Sequence, residues 1–399
     1  MSARKPRLNS ALIRQLNVSR VFHALRLAPR SSQRDLVALT GLDRATVSAV
    51  VSELESNGVI ERSVRESGRP GRPQISLTIA EGAGALLGAR LEPDGIRLIA
   101  TTLAGDPLGS LQVAGSLEAE MAVDLLVEAV AELLAKVDLE PERVRGMGVG
   151  VPALMSEAGR LAFAPNLHWR NVWLRDLLGN RLPFPVYFDN DTKAAALAEK
   201  LFGCCRDVRD FLFIAGHSGI GGGLYLDGTL YRGHNGYAGE IGHLKVRPGG
   251  RECGCGGRGC LEAYISEKAI LARLADLGVA LADLRAVAGA AEAGDERVLA
   301  LMEESGELLG EACANLVNLF NPELIVLGGN ITLLARFMRP ALERALESDA
   351  LSAPLSASRV RVSPLGTEVV PMGGVALALE GVLSLPSWLA ASEIRDMVE

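Results

Sequence analysis

The spacing His243-x9-Cys253-x-Cys255-x4-Cys260 constrains this 399-residue chain more than any other feature it carries. Three thiols and one imidazole make the soft, tetrahedral donor set that structural zinc prefers. Glycines at 249, 250, 254, 256, 257 and 259 let the backbone turn tightly enough for positions 253, 255 and 260 to converge. A closed sphere of His243, Cys253, Cys255 and Cys260 leaves no open coordination position. The expected Zn2+ is therefore structural, and its loop should lose order without it. The alternative is a set of ordinary reduced cysteines on a Gly-rich loop. Six cysteines are too few for a disulfide scaffold, and three of them sit in this loop. The adjacent Cys204-Cys205 is strained for a disulfide, and Cys313, inside a helical pattern, reads as a small core residue.

The net charge of -7 hides an asymmetry. Residues 1–80 hold 13 Lys+Arg against 6 Asp+Glu, whereas the rest of the chain holds 28 against 42. A basic head on an acidic body predicts that the head meets a polyanion and the body does not. Within the head, Leu12, Ile13, Leu16, Val21, Leu25 and Leu27 recur at helical spacing until Pro29. Ser32 can cap a short helix to Thr40, Gly41 permits a tight turn, and Asp43 can cap a third helix from Arg44 to about Asn57. Val47, Val50, Val51 and Leu54 form its inward stripe. Arg44, Ala45, Thr46 and Ser48 sit in its first turns, where a recognition helix presents side chains to base edges. Two strands joined by Ser67-Gly-Arg-Pro-Gly-Arg-Pro73 complete a winged helix-turn-helix. Arg69 and Arg72, held extended by the prolines that follow, suit a narrow and electronegative minor groove. A flexible interdomain linker is the alternative for that tip.

From about residue 83 the pattern is that of an α/β body. Strands at 85–91 and 96–103 flank a Glu-Pro-Asp-Gly turn, a helix covers about 119–136, and strands at 144–151 and 185–189 follow. The second of these runs into a helix over 192–201. Then come a strand at 211–215, a Gly-rich loop and a hairpin with Asp227-Gly228 at its tip. Helices fill about 261–275 and 295–319, and a strand at 324–327 runs into Gly328-Gly329. So long a body exceeds one comfortable core, which predicts two lobes with a cleft between them. No export signal follows the basic start, and no charge-free apolar run of about 18 residues is present. A cytoplasmic protein with no membrane contact is expected.

Around the cysteine loop stand Gly239-Glu240-Ile-Gly-His243 and, directly after it, Leu261-Glu262. Two carboxylates and an imidazole held at a cleft suit the vicinal hydroxyls of a sugar, which need acceptors in fixed directions. Upstream, Phe188-Asp-Asn190-Asp191-Thr192 places Asn190 and Asp191 where a strand runs into a helix, and a carboxylate there gains from the helix N-terminus.

These residues resemble the ROK family of sugar kinases and sugar-responsive repressors, and the winged head with this body resembles its transcriptional regulators. The resemblance runs from about residue 10 to 380. It rests on Gly150-Val-Pro152, Asn166-Leu-x-Trp169, Asn190-Asp191, Gly219-Ile-Gly-Gly-Gly223, Glu240-Ile-Gly-His243, Cys253-x-Cys-x4-Cys260, Leu261-Glu262 and Leu327-Gly-Gly329. It implies an actin-like ATPase (ribonuclease H-like) α/β fold of two lobes behind an N-terminal winged helix-turn-helix. The division expected is a DNA-binding domain over 1–80, a small lobe over 81–195 completed by a C-terminal helix over 373–399, and a large lobe with the zinc loop over 196–372. The resemblance also implies that Asn166, Asn190, Asp191, Glu240, His243 and Glu262 line a sugar pocket, with His243 serving both zinc and sugar. In kinases of the family the residue matching Asp191 is the general base.

The sequence departs from those kinases at one place. Where their first phosphate loop reads Asp-x-Gly-Gly-Thr, this chain reads Arg90-Leu-Glu-Pro-Asp94. Two carboxylates and a proline there repel a nucleotide and withdraw an amide donor. The second loop, His217-Ser-Gly-Ile-Gly-Gly-Gly223, survives. Phosphoryl transfer depends largely on positioning, so the expectation is a non-enzymatic sensor. Its effector is a sugar or sugar phosphate, and its DNA partner is a double-stranded, AT-biased inverted repeat read by a homodimer or homotetramer. Two other readings stay open: a sugar kinase that keeps a DNA-binding arm, and a body that serves assembly alone.

Overall fold

Local capping sets the bounds of two of the helices of the head. The first helix, α1 (Ser10–Leu27), turns Val18, Val21, Phe22 and Leu25 inward. The second, α2 (Gln33–Thr40), opens with a capping box in which Ser32 Oγ accepts the Asp35 N–H while the Asp35 carboxylate accepts the Ser32 N–H at 2.9 Å. Gly41 closes it at φ +67°. Asp43 then caps α3 (Arg44–Ser56), whose buried face is Val47, Val50, Val51 and Leu54. Strands β1 (Ile60–Arg65) and β2 (Gln74–Ile79) pair antiparallel as a wing. The computed structural model describes residues 10–65, 74–115, 118–156, 159–216 and 219–384, so Arg69 and Arg72 at the wing tip lie outside the described residues.

The first body sheet has the order β10-β6-β3-β4-β5. Strands β3 (Ala85–Glu92), β4 (Gly95–Thr102) and β5 (Pro107–Ala114) form an antiparallel meander. Helix α4 (Ala119–Lys136) covers it, and β6 (Val144–Val151) joins β3 in parallel. A small antiparallel insertion follows, made of β7 (Leu154–Met155), β8 (Leu161–Ala164) and β9 (Trp169–Val172). After α5 (Leu174–Leu178), β10 (Val186–Asn190) pairs with β6 and runs directly into α6 (Asp191–Leu201).

The second body sheet repeats this plan as β13-β12-β11-β14-β15. Its meander is β11 (Phe211–Gly216), β12 (Ile220–Leu226) and β13 (Thr229–Tyr231), turned by Asp227 and Gly228 at φ 54° and 74°. The cysteine loop leads into α7 (Glu262–Ile265) and α8 (Glu267–Asp276). One helix was expected over 261–275, but Ser266 is extended (ψ 157°) and its side chain caps α8 through the Ala269 N–H. Next come α9 (Leu284–Glu292), α10 (Glu296–Phe320), β14 (Leu324–Gly329), α11 (Ala335–Asp349) and α12 (Ser352–Ala357), then β15 (Arg359–Val362). Both β14 and β15 add in parallel, as β6 and β10 do in the first sheet. Each sheet is thus a meander extended by two parallel strands, the duplicated arrangement expected of the actin-like fold.

The last described helix is α13 (Val369–Leu383), so it starts ahead of the expected position 373, and residues 385–399 lie outside the described residues. The expected boundary at 195/196 falls inside α6. These two helices pack on each other; α13 also lies on β6 and β3, while α6 reaches β12 and β11. Gly366–Leu383 is the one described stretch apolar and long enough to cross a membrane, and it is largely buried inside the protein. Burial of a core valine or leucine contributes about 2 kcal/mol, and α13 contributes Val375, Leu379 and Val382 to a cluster that continues through Leu201 and Phe202 into Val21, Phe22 and Leu25 of the head. Head and body therefore share one core.

Candidate functional site

The site is assembled where α6 begins and where the cysteine loop returns to the second sheet. Asn190 spends its amide on the backbone. Its Oδ1 accepts the Thr192 and Lys193 N–H groups at 3.1 and 3.0 Å, and its Nδ2 donates to Ala153 O at 3.1 Å. That makes it the cap of α6 and the support of Asp191. Asp191 is buried, with Oδ1 accepting the Thr192 N–H at 2.8 Å. Burial raises its carboxyl above the ordinary range, and the nearby Arg90 guanidinium opposes that rise.

Glu240 and His243 flank a short turn (residues 241–243) against the second sheet. The residue surface of Glu240 is open, yet its carboxyl is crowded. Desolvation raises it above its usual value, Asp191 and Glu262 add to the rise, and Lys193 and His243 oppose it. Glu262, the first residue of α7, accepts the Ile220 N–H at 2.9 Å through Oε2. A Cβ placed on Gly219 would meet that same Oε2 at 2.3 Å and Asn166 Nδ2 at 3.7 Å, so Gly219 leaves the room in which Asn166 and Glu262 approach each other. A cavity of about 460 Å³ opens between Pro93, Glu118, Ala119 and the Asn166–Trp169 segment, and of the expected sugar residues Asn166 alone lines it. Asn166, Asp191, Glu240, His243 and Glu262 thus converge from both sheets, with Asn190 behind them. Convergent acceptors of this kind suit a polyhydroxylated ligand.

The structure adds two cations to this site, Lys193 and Arg90. Lys193 is 2% exposed and donates from Nζ to Gly236 O; burial lowers its ammonium, with Asp189 and Glu240 opposing. Arg90, expected only as a break in the phosphate loop, is buried beside Asp191, and its Nη1 lies 2.6 Å from Glu92 Oε1. The Asp191-Thr-Lys193 run one residue into a helix is the only sequence signal for the first.

The four expected metal ligands come together, with their donor atoms within 4.8 Å of one another. Zinc bonded to sulfur at about 2.3 Å and to nitrogen at about 2.0 Å has tetrahedral edges of about 3.6–3.8 Å. The separations found are 3.8 Å for Cys255 Sγ to Cys260 Sγ and 3.7 Å for Cys253 Sγ to His243 Nδ1. Burial pushes the Cys253 thiol up to about 12, so a thiolate there needs a compensating cation. The group fits. With Nδ1 turned to the sulfurs, His243 keeps Nε2 for the cleft. Lys245 Nζ donates to Cys260 Sγ at 2.8 Å and screens the sulfur charge from outside.

In the head, Arg44, Ala45 and Ser48 are exposed on α3, whereas Thr46 is partly covered and its hydroxyl donates to Asp43 Oδ2 at 2.6 Å. Three of the four expected reading residues therefore present free surface, and Thr46 serves the cap.

The chain is similar to known proteins along most of its length. The ROK family profile matches residues 93–380 and the MarR family profile residues 15–72. A xylose repressor of Caldicellulosiruptor bescii is 30% identical over 400 residues, covering 95% of this chain and 99% of the relative. Among solved structures, a ROK family transcriptional regulator, a homologue of the E. coli MLC protein, superposes with a TM-score of 0.81 at 28% identity, covering 95% of this chain and 98% of the other. A ROK family glucokinase from Streptomyces griseus, in complex with glucose and AMPPNP, gives a TM-score of 0.65 at 29% identity, covering 75% of this chain and 100% of that one. The chain carries a MarR-type winged head on a kinase-like body, and it belongs to the ROK family.

Proposed function

We propose that this protein is a sugar-responsive transcriptional repressor that binds DNA through Arg44, Ala45, Ser48, Arg69 and Arg72, with Thr46 holding the cap of α3, and does not transfer phosphate. It works in the cytoplasm as a homodimer or homotetramer on an AT-biased inverted repeat. Its effector, a sugar or sugar phosphate, is held by Asn166, Asp191, Glu240, His243 and Glu262, with Asn190 fixing Asp191. A structural Zn2+ on His243, Cys253, Cys255 and Cys260 keeps the second sheet's share of the pocket rigid.

The observation that carries this reading is the continuous core between pocket and head. Helix α6 begins with Asp191 and ends at Leu201-Phe202, where the Arg26 guanidinium of α1 lies 4.9 Å over the Phe202 ring. Nearby, His23 Nε2 is 3.2 Å from Glu380 Oε1 of α13. A ligand that touches both lobes favours one lobe arrangement, and only such differential affinity can shift the DNA-binding population. Through α6 and α13 that arrangement reaches α1.

The test measures affinity for a selected inverted-repeat duplex, with and without xylose, glucose, N-acetylglucosamine and their phosphates. One of them should change operator affinity at least tenfold in the wild-type protein. Phe202→Ala should keep sugar binding, read by calorimetry, and lose that change. Sugar-independent operator binding across the whole panel would sink the proposal. The overlap with a glucokinase favours a second reading, a kinase with a DNA-binding arm. ADP release with hexoses that Asp191→Ala abolishes would establish it.

A further inference from the structure

A second group of metal-ligand side chains lies at the other end of α6, away from the cleft. Glu199 is 0% exposed, and among the described residues it makes no ion pair. Its Oε2 accepts the Cys204 N–H at 2.9 Å and faces the Cys204 Sγ at 3.3 Å, while Oε1 accepts the Ser363 hydroxyl. The Glu199 carboxylate and the Cys204 and Cys205 sulfurs all lie within 4.8 Å of one another. Gly203 makes the arrangement possible, because a Cβ there would stand 2.0 Å from Glu199 Oε2. A fully buried carboxylate is ordinarily paired with a cation or bound to a metal. Here its neighbours are two thiols and a hydroxyl.

We propose that Glu199, Cys204 and Cys205 form a second metal site, distinct from the His243 site, for a thiophilic divalent cation such as Zn2+ or Cd2+. Two sulfurs with one carboxylate are a borderline-soft donor set, which excludes Mg2+ and Ca2+ and suits zinc-like ions. On binding, the two thiols lose their protons to solvent. Two thiolates, one carboxylate, the divalent ion and the Lys200 ammonium, which interacts with Cys205, then sum to zero charge. The donor atoms lie inside a 4.8 Å envelope, against an edge of about 3.8 Å in a zinc tetrahedron. Cys204, half-buried on the turn beyond α6, is the ligand placed to close it and the side from which an ion and a water ligand enter. Through Glu199 and Ser363 the site ties the end of α6 to the segment after β15, three residues from Phe202 and its contact with the head.

The test uses the full chain equilibrated with excess Cd2+ and dialysed, with bound metal counted per chain and followed by sulfur-to-cadmium charge-transfer absorbance. Two equivalents are expected for the wild-type protein and one each for Cys204→Ser and Cys255→Ser. Glu199→Gln keeps an acceptor for the Cys204 N–H and preserves shape. It should weaken the second equivalent at least tenfold while leaving the first unchanged. A single equivalent that Cys255→Ser removes and Cys204→Ser leaves overturns this site, as does unchanged affinity in Glu199→Gln. A single equivalent removed by Cys204→Ser alone supports it and overturns the His243 site instead.

Discussion

The two body sheets share one connectivity, yet their first hairpins are finished in opposite ways. In the first sheet, the β3–β4 hairpin closes through Glu92-Pro-Asp94 and carries Arg90, whose guanidinium is buried between Glu92 and Asp191. In the second, the β11–β12 hairpin keeps Gly221, Gly222 and Gly223. Those glycines are explained by packing: a Cβ on them would strike Thr192 Oγ1 at 2.1 Å, Ile241 Cδ1 at 2.3 Å and Ala196 Cβ at 2.4 Å. A Gly-rich loop therefore survives where α6 and the Glu240 turn press on the strand, whether or not a nucleotide ever binds. The first hairpin turns instead through Glu92, Pro93 and Asp94. The difference teaches that packing alone accounts for the glycine run of the second hairpin, so the run by itself is no evidence of nucleotide binding.

The largest effect is expected at the metal loop, which anchors the second hairpin through Glu262 and the Ile220 N–H. Cys255→Ser, or exhaustive chelation, should lower sugar affinity on the order of 100-fold and raise protease sensitivity around residue 255. Intact sugar affinity in the metal-free protein would uncouple the hairpin from the loop.

Next comes Arg90. Its removal leaves buried Asp191 without its cation and Glu92 with Arg97 alone, 4.0 Å away, so Arg90→Ala should cost about 3 kcal/mol by urea denaturation. A neutral outcome would show that the first hairpin tolerates an empty cradle. Gly222→Ala should cost about 2 kcal/mol through overpacking against Ile241, whereas Pro93→Ala at the other hairpin should stay within about 0.5 kcal/mol. Equal costs would erase the contrast.

The smallest effect is a pH dependence. Burial raises the Asp191 carboxyl, so ionised Asp191 costs stability at pH values above its raised position. That cost vanishes as pH falls through the raised value toward the ordinary carboxylate range, where both states are protonated. Asp191→Asn should therefore stabilise the protein at neutral pH and leave its stability unchanged in acid, while abolishing sugar binding. Arg90 keeps Glu92 as its partner in that variant. Melting temperatures that differ equally at both pH values would contradict the assignment.

Legibility followed the range of the interactions. The caps at Ser32 and Asp43, the Asp227-Gly228 turn and the convergence of the four zinc-type ligands were all readable, because each is decided within one short stretch of backbone. Strands β8 and β9, at four residues each, are too short to carry a period. The break at Ser266 depends on one residue preferring an extended backbone to helix continuation. Asn190 read as a pocket residue, but only its hydrogen bonds show the amide turned to the backbone and away from the cleft.

The sequence by itself determined the donor set suited to a metal, the capped third helix of the head and the carboxylates flanking the cysteine loop, since residue type and near-neighbour spacing suffice for those. Tertiary structure alone decided that Arg90 faces Asp191, that Lys193 is buried under Glu240, and that α13 and α6 bind head and body into one core. Those contacts join residues far apart in the chain. Their existence depends on how two separately folded sheets settle against the same pair of helices, a question of packing geometry that no local pattern encodes.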